Sequence, residues 1–275
     1  MKTIKSKGSD ILIQVNGVTC CYDDFGEGLI PILFIHGFPF DKSSWQPQME
    51  YFKKTHRVIS YDIRGFGKSV SGEDKISMSL FADDLIALMD ALQIDKVIAC
   101  GLSMGGYILL NALNPYPQRF EAIMLCDTQC IGDSQEGKEK RFKTIQQIET
   151  GGLNDFANGF IKNIFCSESL DTKKEVVERI KNVVISTKPA TIASTLRALA
   201  ERNETCSLLS EISVPVLILC GNEDVVTPLV QSEFMLNRIK NSTLHGIGKA
   251  GHMSNLEQPD EFNQHLSNFI STLVK

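Results

Sequence analysis

Apolar residues along this chain follow two rhythms that take turns. Short unbroken apolar runs, such as Ile32-Leu33-Phe34-Ile35 and Val97-Ile98-Ala99-Cys100, alternate with stretches in which apolar positions recur every third or fourth residue. Unbroken runs read as strands covered on both faces, and the slower rhythm reads as amphipathic helices. The chain opens differently, with Ile11 to Val15 and Val18 to Tyr22 on either side of Asn16-Gly17, a pattern that predicts a β-hairpin. Further strands are expected at Arg57–Tyr61, Phe120–Cys126, Val214–Cys220 and Thr243–Ile247. Helices are expected from Ser43 or Ser44 through Phe52, over Ser79–Leu92, from Ser103 to about Leu113, over Pro228–Ile239 and over Pro259–Leu273. Strands alternating with helices specify a mostly parallel sheet of eight strands with helices on both faces, an α/β fold.

The alternation fails between Thr128 and Ile212. That stretch carries helical periodicity at Phe142–Ile148, Leu153–Phe165, Lys173–Ile185 and Ala190–Ala200, and no strand. An insertion of this length between two strands reads as a helical cap over one edge of the sheet. The expected organisation is one core domain in two parts, residues 1–127 and 213–275, with a cap at 128–212.

Composition narrows the class of partner. Hydrophobic residues make up 43% of the chain and charged residues 22%, with a net charge of −5, ordinary for a globular protein and without the basic field that attracts nucleic acid or an anionic membrane. No apolar run approaches the length that spans a bilayer, and the basic start Met1 to Gly8 is not followed by a signal-peptide core. The eight cysteines sit singly in apolar runs or as the adjacent pair Cys20-Cys21, with no C-x-x-C spacing. They read as reduced, buried thiols in a cytoplasmic protein.

The chemistry is signalled by Gly101-Leu102-Ser103-Met104-Gly105, which joins a strand directly to a helix. This G-x-S-x-G form is a nucleophile elbow, where a tight turn holds a serine exposed and the glycines leave room for neighbouring backbone. A serine hydroxyl needs a base and a group that orients the base. Asp224 and His252 follow the last two strands, where strand ends converge on one edge of the sheet. Glu223 and Asp127 stand as alternative acids, while His56 and His265 lie in polar contexts and His245 within a strand. Two amides are candidates to hold an oxyanion, those of Met104 after the nucleophile and Phe38 in the loop after the third strand, with Gly37 allowing close approach. His36 is expected to brace that loop rather than react, and Asp62 and Arg64 to support it from below. Trp45 is read either as a wall of the pocket or as a packed aromatic.

Taken together, His36-Gly37-Phe38-Pro39, Asp62 to Ser69, Gly101 to Gly106, Gly221 to Asp224 and Gly251-His252 resemble the α/β-hydrolase fold superfamily along essentially the whole chain. The Gly-Leu-Ser-Met-Gly-Gly-Tyr elbow and the ending Gly-His-Met-Ser-Asn-Leu-Glu-Gln-Pro are closest to its esterase and 3-oxoadipate enol-lactonase-like branch. The resemblance implies a cofactor-independent serine hydrolase with Ser103, His252 and Asp224 as its triad, no metal, and a small carboxylic ester or lactone as substrate. Hydrolysis of a carbon-carbon bond or thioester, and perhydrolysis, use the same residues and stay open, as does a non-enzymatic ligand-binding or sensor role. Fold relatives with a carboxylate nucleophile are disfavoured by the serine at 103. The cap chooses the substrate, and these motifs say nothing about the cap.

Overall fold

The computed structural model describes residues 7–273, so the reading of the chain's first six residues lies outside it. Asn16 and Gly17 both adopt positive φ (44° and 81°), the geometry a two-residue hairpin turn requires, and they join β1 (Gly8–Val15) to β2 (Val18–Phe25). The remaining strands are β3 (Ile32–Ile35), β4 (Val58–Tyr61), β5 (Val97–Leu102), β6 (Phe120–Cys126), β7 (Val216–Gly221) and β8 (Ser242–Ile247). Their order across one sheet is β1-β2-β4-β3-β5-β6-β7-β8, antiparallel at the β1-β2 and β2-β4 pairs and parallel elsewhere. The unbroken apolar runs are now explained. Alternate residues of β3, Leu33 and Ile35 against Ile32 and Phe34, enter two separate apolar clusters, one on each face of the sheet.

Helices α1 (Gln46–Phe52), α2 (Met78–Ala91) and α3 (Met104–Leu113) follow β3, β4 and β5. Between β6 and β7 come α4 (Gln135–Glu149), α5 (Leu153–Ile164), α6 (Ser167–Thr172), α7 (Lys174–Ser186) and α8 (Pro189–Glu201), with α4 packed on α8 and α5 on α7. The chain finishes with α9 (Leu229–Leu236), α10 (Ser254–Glu257) and α11 (Pro259–Leu273). One apolar cluster takes Leu85 and Leu88 of α2 and Ile108 of α3, and the other takes Phe52 of α1 and Phe262 of α11. Among the described residues no helix is long and apolar enough to cross a membrane.

Two local expectations differ. The helix expected at Phe142–Ile148 begins at Gln135, because Ser134 caps its first turn through Gly137 N–H, and that turn is too polar to show periodicity. Helix α6 is too short for a period; the thiol of Cys166 caps it by accepting from Ser169 N–H.

The cysteine reading needs a correction. Cys130 and Cys206 form a disulfide across 76 residues, while Cys20, Cys21, Cys100, Cys126, Cys166 and Cys220 are free and buried. Cys130 lies just after β6 and Cys206 just after α8, so the bond closes the base of the inserted helices. Their distance in sequence hid the pairing, which depends on how the insertion returns to the sheet.

Candidate active site

Ser103 sits between β5 and α3 at φ 54° and ψ −112°, a conformation costly for a residue with a side chain. The strain is held in place by hydrogen bonds. Ser103 N–H donates to Cys126 O at 2.9 Å, and its carbonyl accepts from Gly106 N–H and from Thr128 Oγ1. Gly105 is obligatory here, since a Cβ would stand 2.2 Å from Ile35 O.

The structure brings together Ser103, His252 and Asp224. Ser103 Oγ lies 2.9 Å from His252 Nε2, and His252 Nδ1 lies 2.7 Å from Asp224 Oδ2. Asp224 also accepts from Thr227 Oγ1 at 2.7 Å and from the amides of Val226 and Thr227. Burial pushes its carboxyl up, but His252 and these donors prevail and hold it below the usual carboxylate range. An ionised Asp224 can only accept, so Nδ1 carries the imidazole proton and the lone pair of Nε2 faces Ser103. Burial pulls His252 down, yet the charges around it, Asp224 foremost, leave it above the ordinary histidine value.

Of the alternative acids, Glu223 is exposed and Asp127 is buried beside Asp224, with no hydrogen bond to His252 among the described residues. Asp127 accepts from Gly221 N–H at 2.8 Å and pairs with Ser254 Oγ. Burial, reinforced by the negative Asp224, raises it well above the carboxylate range. Asp127, Asp224 and the Cys220 thiol place possible ligand atoms within 4.8 Å of one another, but the carboxylate oxygens are already committed to these partners.

His36 is fully buried and outside this chain of bonds. Its Nε2 accepts from Ile63 N–H at 3.0 Å and its Nδ1 meets Gly37 O at 2.8 Å, so the neutral ring braces the loop that carries Phe38. Burial lowers it to about 4. Gly37 passes so close that a Cβ there would lie 3.2 Å from Ser103 Cβ. Met104 is the first residue of α3, where an N–H has no intrahelical acceptor. Phe38 N–H has no backbone acceptor among the described residues. Trp45 does not line the site: its indole packs in the core against Phe34 (5.0 Å between ring centres) and Phe262 (6.0 Å).

Ser103, His252, Phe38 and Met104 all face a cavity of about 530 Å³. Its apolar wall includes Tyr107 and, from α5, Phe156 and Phe160, whose rings stack at 5.4 Å. Its far side is polar, with Lys140, Arg141, Thr144 and Gln147 of α4 and Asn163 of α5. Arg141 pairs with Asp133, which also binds the buried Arg202, whose guanidinium lies 4.6 Å from the centre of the Tyr107 ring. This polar side escaped the sequence reading, because Arg141 sits in a charged stretch that looks like any solvated helix face.

The model of the alpha/beta hydrolase fold family matches residues 30–259. The chain belongs to that family. It is 32% identical over 253 residues to 3-oxoadipate enol-lactonase 2 of Acinetobacter baylyi, covering 91% of this chain and 92% of the relative. Among solved structures it superposes on an esterase from Thermogutta terrifontis with a TM-score of 0.91 at 31% identity, covering 96% of this chain and 99% of that one. The enol-lactonase from Burkholderia xenovorans gives a TM-score of 0.89 at 26% identity over 95% of this chain and all of the other.

Proposed function

We propose that this member of the α/β-hydrolase family is a carboxylic ester hydrolase that cleaves a small ester or lactone through an acyl-enzyme on Ser103. The observation that carries the proposal is the unbroken chain from Ser103 Oγ through both nitrogens of His252 to Asp224, at 2.9 and 2.7 Å, opening onto a cavity. The names of the relatives, enol-lactonase and esterase, support the same bond type.

In this reading His252 Nε2 takes the Ser103 proton as Oγ attacks the carbonyl carbon, and Asp224 stabilises the imidazolium that forms. The amides of Phe38 and Met104 receive the negative oxygen of the tetrahedral intermediate, an effect worth a few kcal/mol per donor. His252 then protonates the leaving alkoxide, and in the second half activates a water on the acyl-enzyme. In a lactone this cleavage opens the ring, and the leaving oxygen stays tethered to the acyl group through the opened chain. Residues 128–212 act as the cap, with α4 and α5 forming the wall that meets the substrate.

The test is labelling with a fluorophosphonate probe together with turnover of p-nitrophenyl butyrate. Wild-type protein should be labelled on Ser103 and turn over the ester, and Ser103→Ala should do neither while remaining folded. Turnover retained by Ser103→Ala would overturn the proposal.

A further inference from the structure

Glu257 is wholly buried at the end of α10, away from Ser103, and the hydrolytic steps above do not use it. Its carboxylate nonetheless accepts three backbone N–H groups around the base. Oε1 accepts from Gly251 N–H at 2.8 Å and Met253 N–H at 3.2 Å, the residues on either side of His252. Oε2 accepts from Cys166 N–H at 2.8 Å, which belongs to the corner between α5 and α6. The same corner is reached from the other direction, as His252 N–H and Met253 N–H both donate to Ile164 O, at 2.8 and 3.2 Å. Packing is tight enough that a Cβ on Gly251 would come within 2.9 Å of Cys166 N.

Helix α5, which ends at this corner, carries Phe156, Phe160 and Asn163 of the cavity wall. We propose that Glu257 is a positioning residue that locks the loop of the base to the cavity wall, so that His252 and α5 are held as one body. This rests on the reading of Ser103 and His252 as nucleophile and base. The alternative, a carboxylate that only caps its own turn, would hold the amides of residues 251 and 253 and leave residue 166 to another acceptor.

The carboxylate also acts through space. The charged groups that act on the His252 ring are Asp224 from the β7-α9 loop, which touches it, and at longer range Asp127 after β6 and Glu257 of α10. The Cys166 thiol at the corner is raised by burial and stays neutral. Burial and the neighbouring Asp224 raise Asp127 well above the carboxylate range, and the charges that raise His252 are those of Asp224 first, then Asp127 and Glu257. Glu257 therefore has two separable effects, a mechanical one through Cys166 N–H and an electrostatic one on His252.

Two variants separate them. Glu257→Gln keeps the shape, removes the charge and turns one acceptor atom into a donor. Cys166→Pro keeps the charge, removes the thiol and replaces the N–H that reaches Oε2 by a ring carbon that cannot donate; residue 166 has φ −67° and Phe165 before it is extended, so proline fits the backbone. Cys166→Ala is its reference, since it loses the thiol and keeps the N–H. The measurements are p-nitrophenyl butyrate kinetics across pH and an NMR titration of the His252 ring in the resting protein, which needs no turnover.

Glu257→Gln should lower the His252 midpoint by roughly half a unit or more and reduce kcat by about tenfold or more. Cys166→Pro should reduce kcat by a similar factor relative to Cys166→Ala, with the His252 midpoint unmoved. If Glu257→Gln does not fold, the Cys166 pair still decides the mechanical claim. The inference is overturned if Cys166→Pro matches Cys166→Ala in kcat, or if a folded Glu257→Gln keeps both the wild-type kcat and the wild-type midpoint. Failure of wild-type protein to turn over ester or label Ser103 would instead overturn the proposed function.

Discussion

Asp127 directly after β6 and Asp224 in the loop after the adjacent β7 bring carboxylate oxygens within 4.8 Å of each other, yet only Asp224 reaches His252. Two neighbouring carboxyls in a dry site cannot both ionise cheaply, and their surroundings have divided them. Asp224 is lowered by His252 and its donors, and Asp127 is raised by burial and by Asp224. Asp224→Asn should therefore cut kcat by about 10³- to 10⁴-fold, while Asp127→Asn, which replaces a neutral acid by a neutral amide, should stay within about tenfold of wild type. Ester kinetics on both variants check this, and equal losses would remove the distinction.

The same pair affects stability with pH. A carboxyl whose folded value is raised binds its proton more tightly in the folded state, so its contribution to stability is lost as pH rises from the unfolded value through the folded one. Wild-type protein should lose more stability than Asp127→Asn between pH 4 and the folded value of Asp127, and the gap between their Tm curves should widen with pH. Parallel curves would mean that Asp127 titrates normally.

On the proposed mechanism the group that governs activity is His252, which must be neutral to accept the Ser103 proton. Its value is raised, so kcat/KM should climb with pH and reach half its plateau above about 6.5. A midpoint below that would show that burial outweighs the carboxylates.

The positive φ of Ser103 is a strain that the fold tolerates. Ser103→Gly relieves it and Ser103→Ala does not, although both lose the hydroxyl. The glycine variant should be more stable than the alanine variant by about 1 kcal/mol, measured by thermal or urea unfolding, with both inactive. The reverse order would place the strain elsewhere.

Cutting the Cys130–Cys206 bond should destabilise the protein by an amount that chain entropy limits to about 4 kcal/mol for a closed loop of this size. Dithiothreitol should lower the Tm of wild-type protein and leave that of a Cys130→Ser, Cys206→Ser variant unchanged. Equal responses in the two proteins would show that the bond is not formed in solution.

The core was readable because its strands are buried on both faces and so appear as unbroken apolar runs, and because Gly101 and Gly105 advertise a turn that no other residue fits. The positions of Asp224 and His252 followed from strand ends converging on one edge. What stayed hidden was set by contacts distant in sequence: the disulfide, the Arg141–Asp133–Arg202 array, and the tie from Glu257 to Cys166. Trp45 had two readings because an indole suits a core and a pocket equally well, and only its neighbours Phe34 and Phe262 decide between them.

The disulfide has an architectural meaning as well. Its Cα atoms stand 4.9 Å apart, close to the spacing of neighbouring strands, so the insertion leaves and rejoins the sheet through a single narrow doorway. Seen from β6 and β7, the two ends of the insertion stand no farther apart than the ends of a short turn. A lineage can thus exchange helices around the cavity at one point of the sheet, provided the corner of Ile164 and Cys166 that holds the His252 loop is kept.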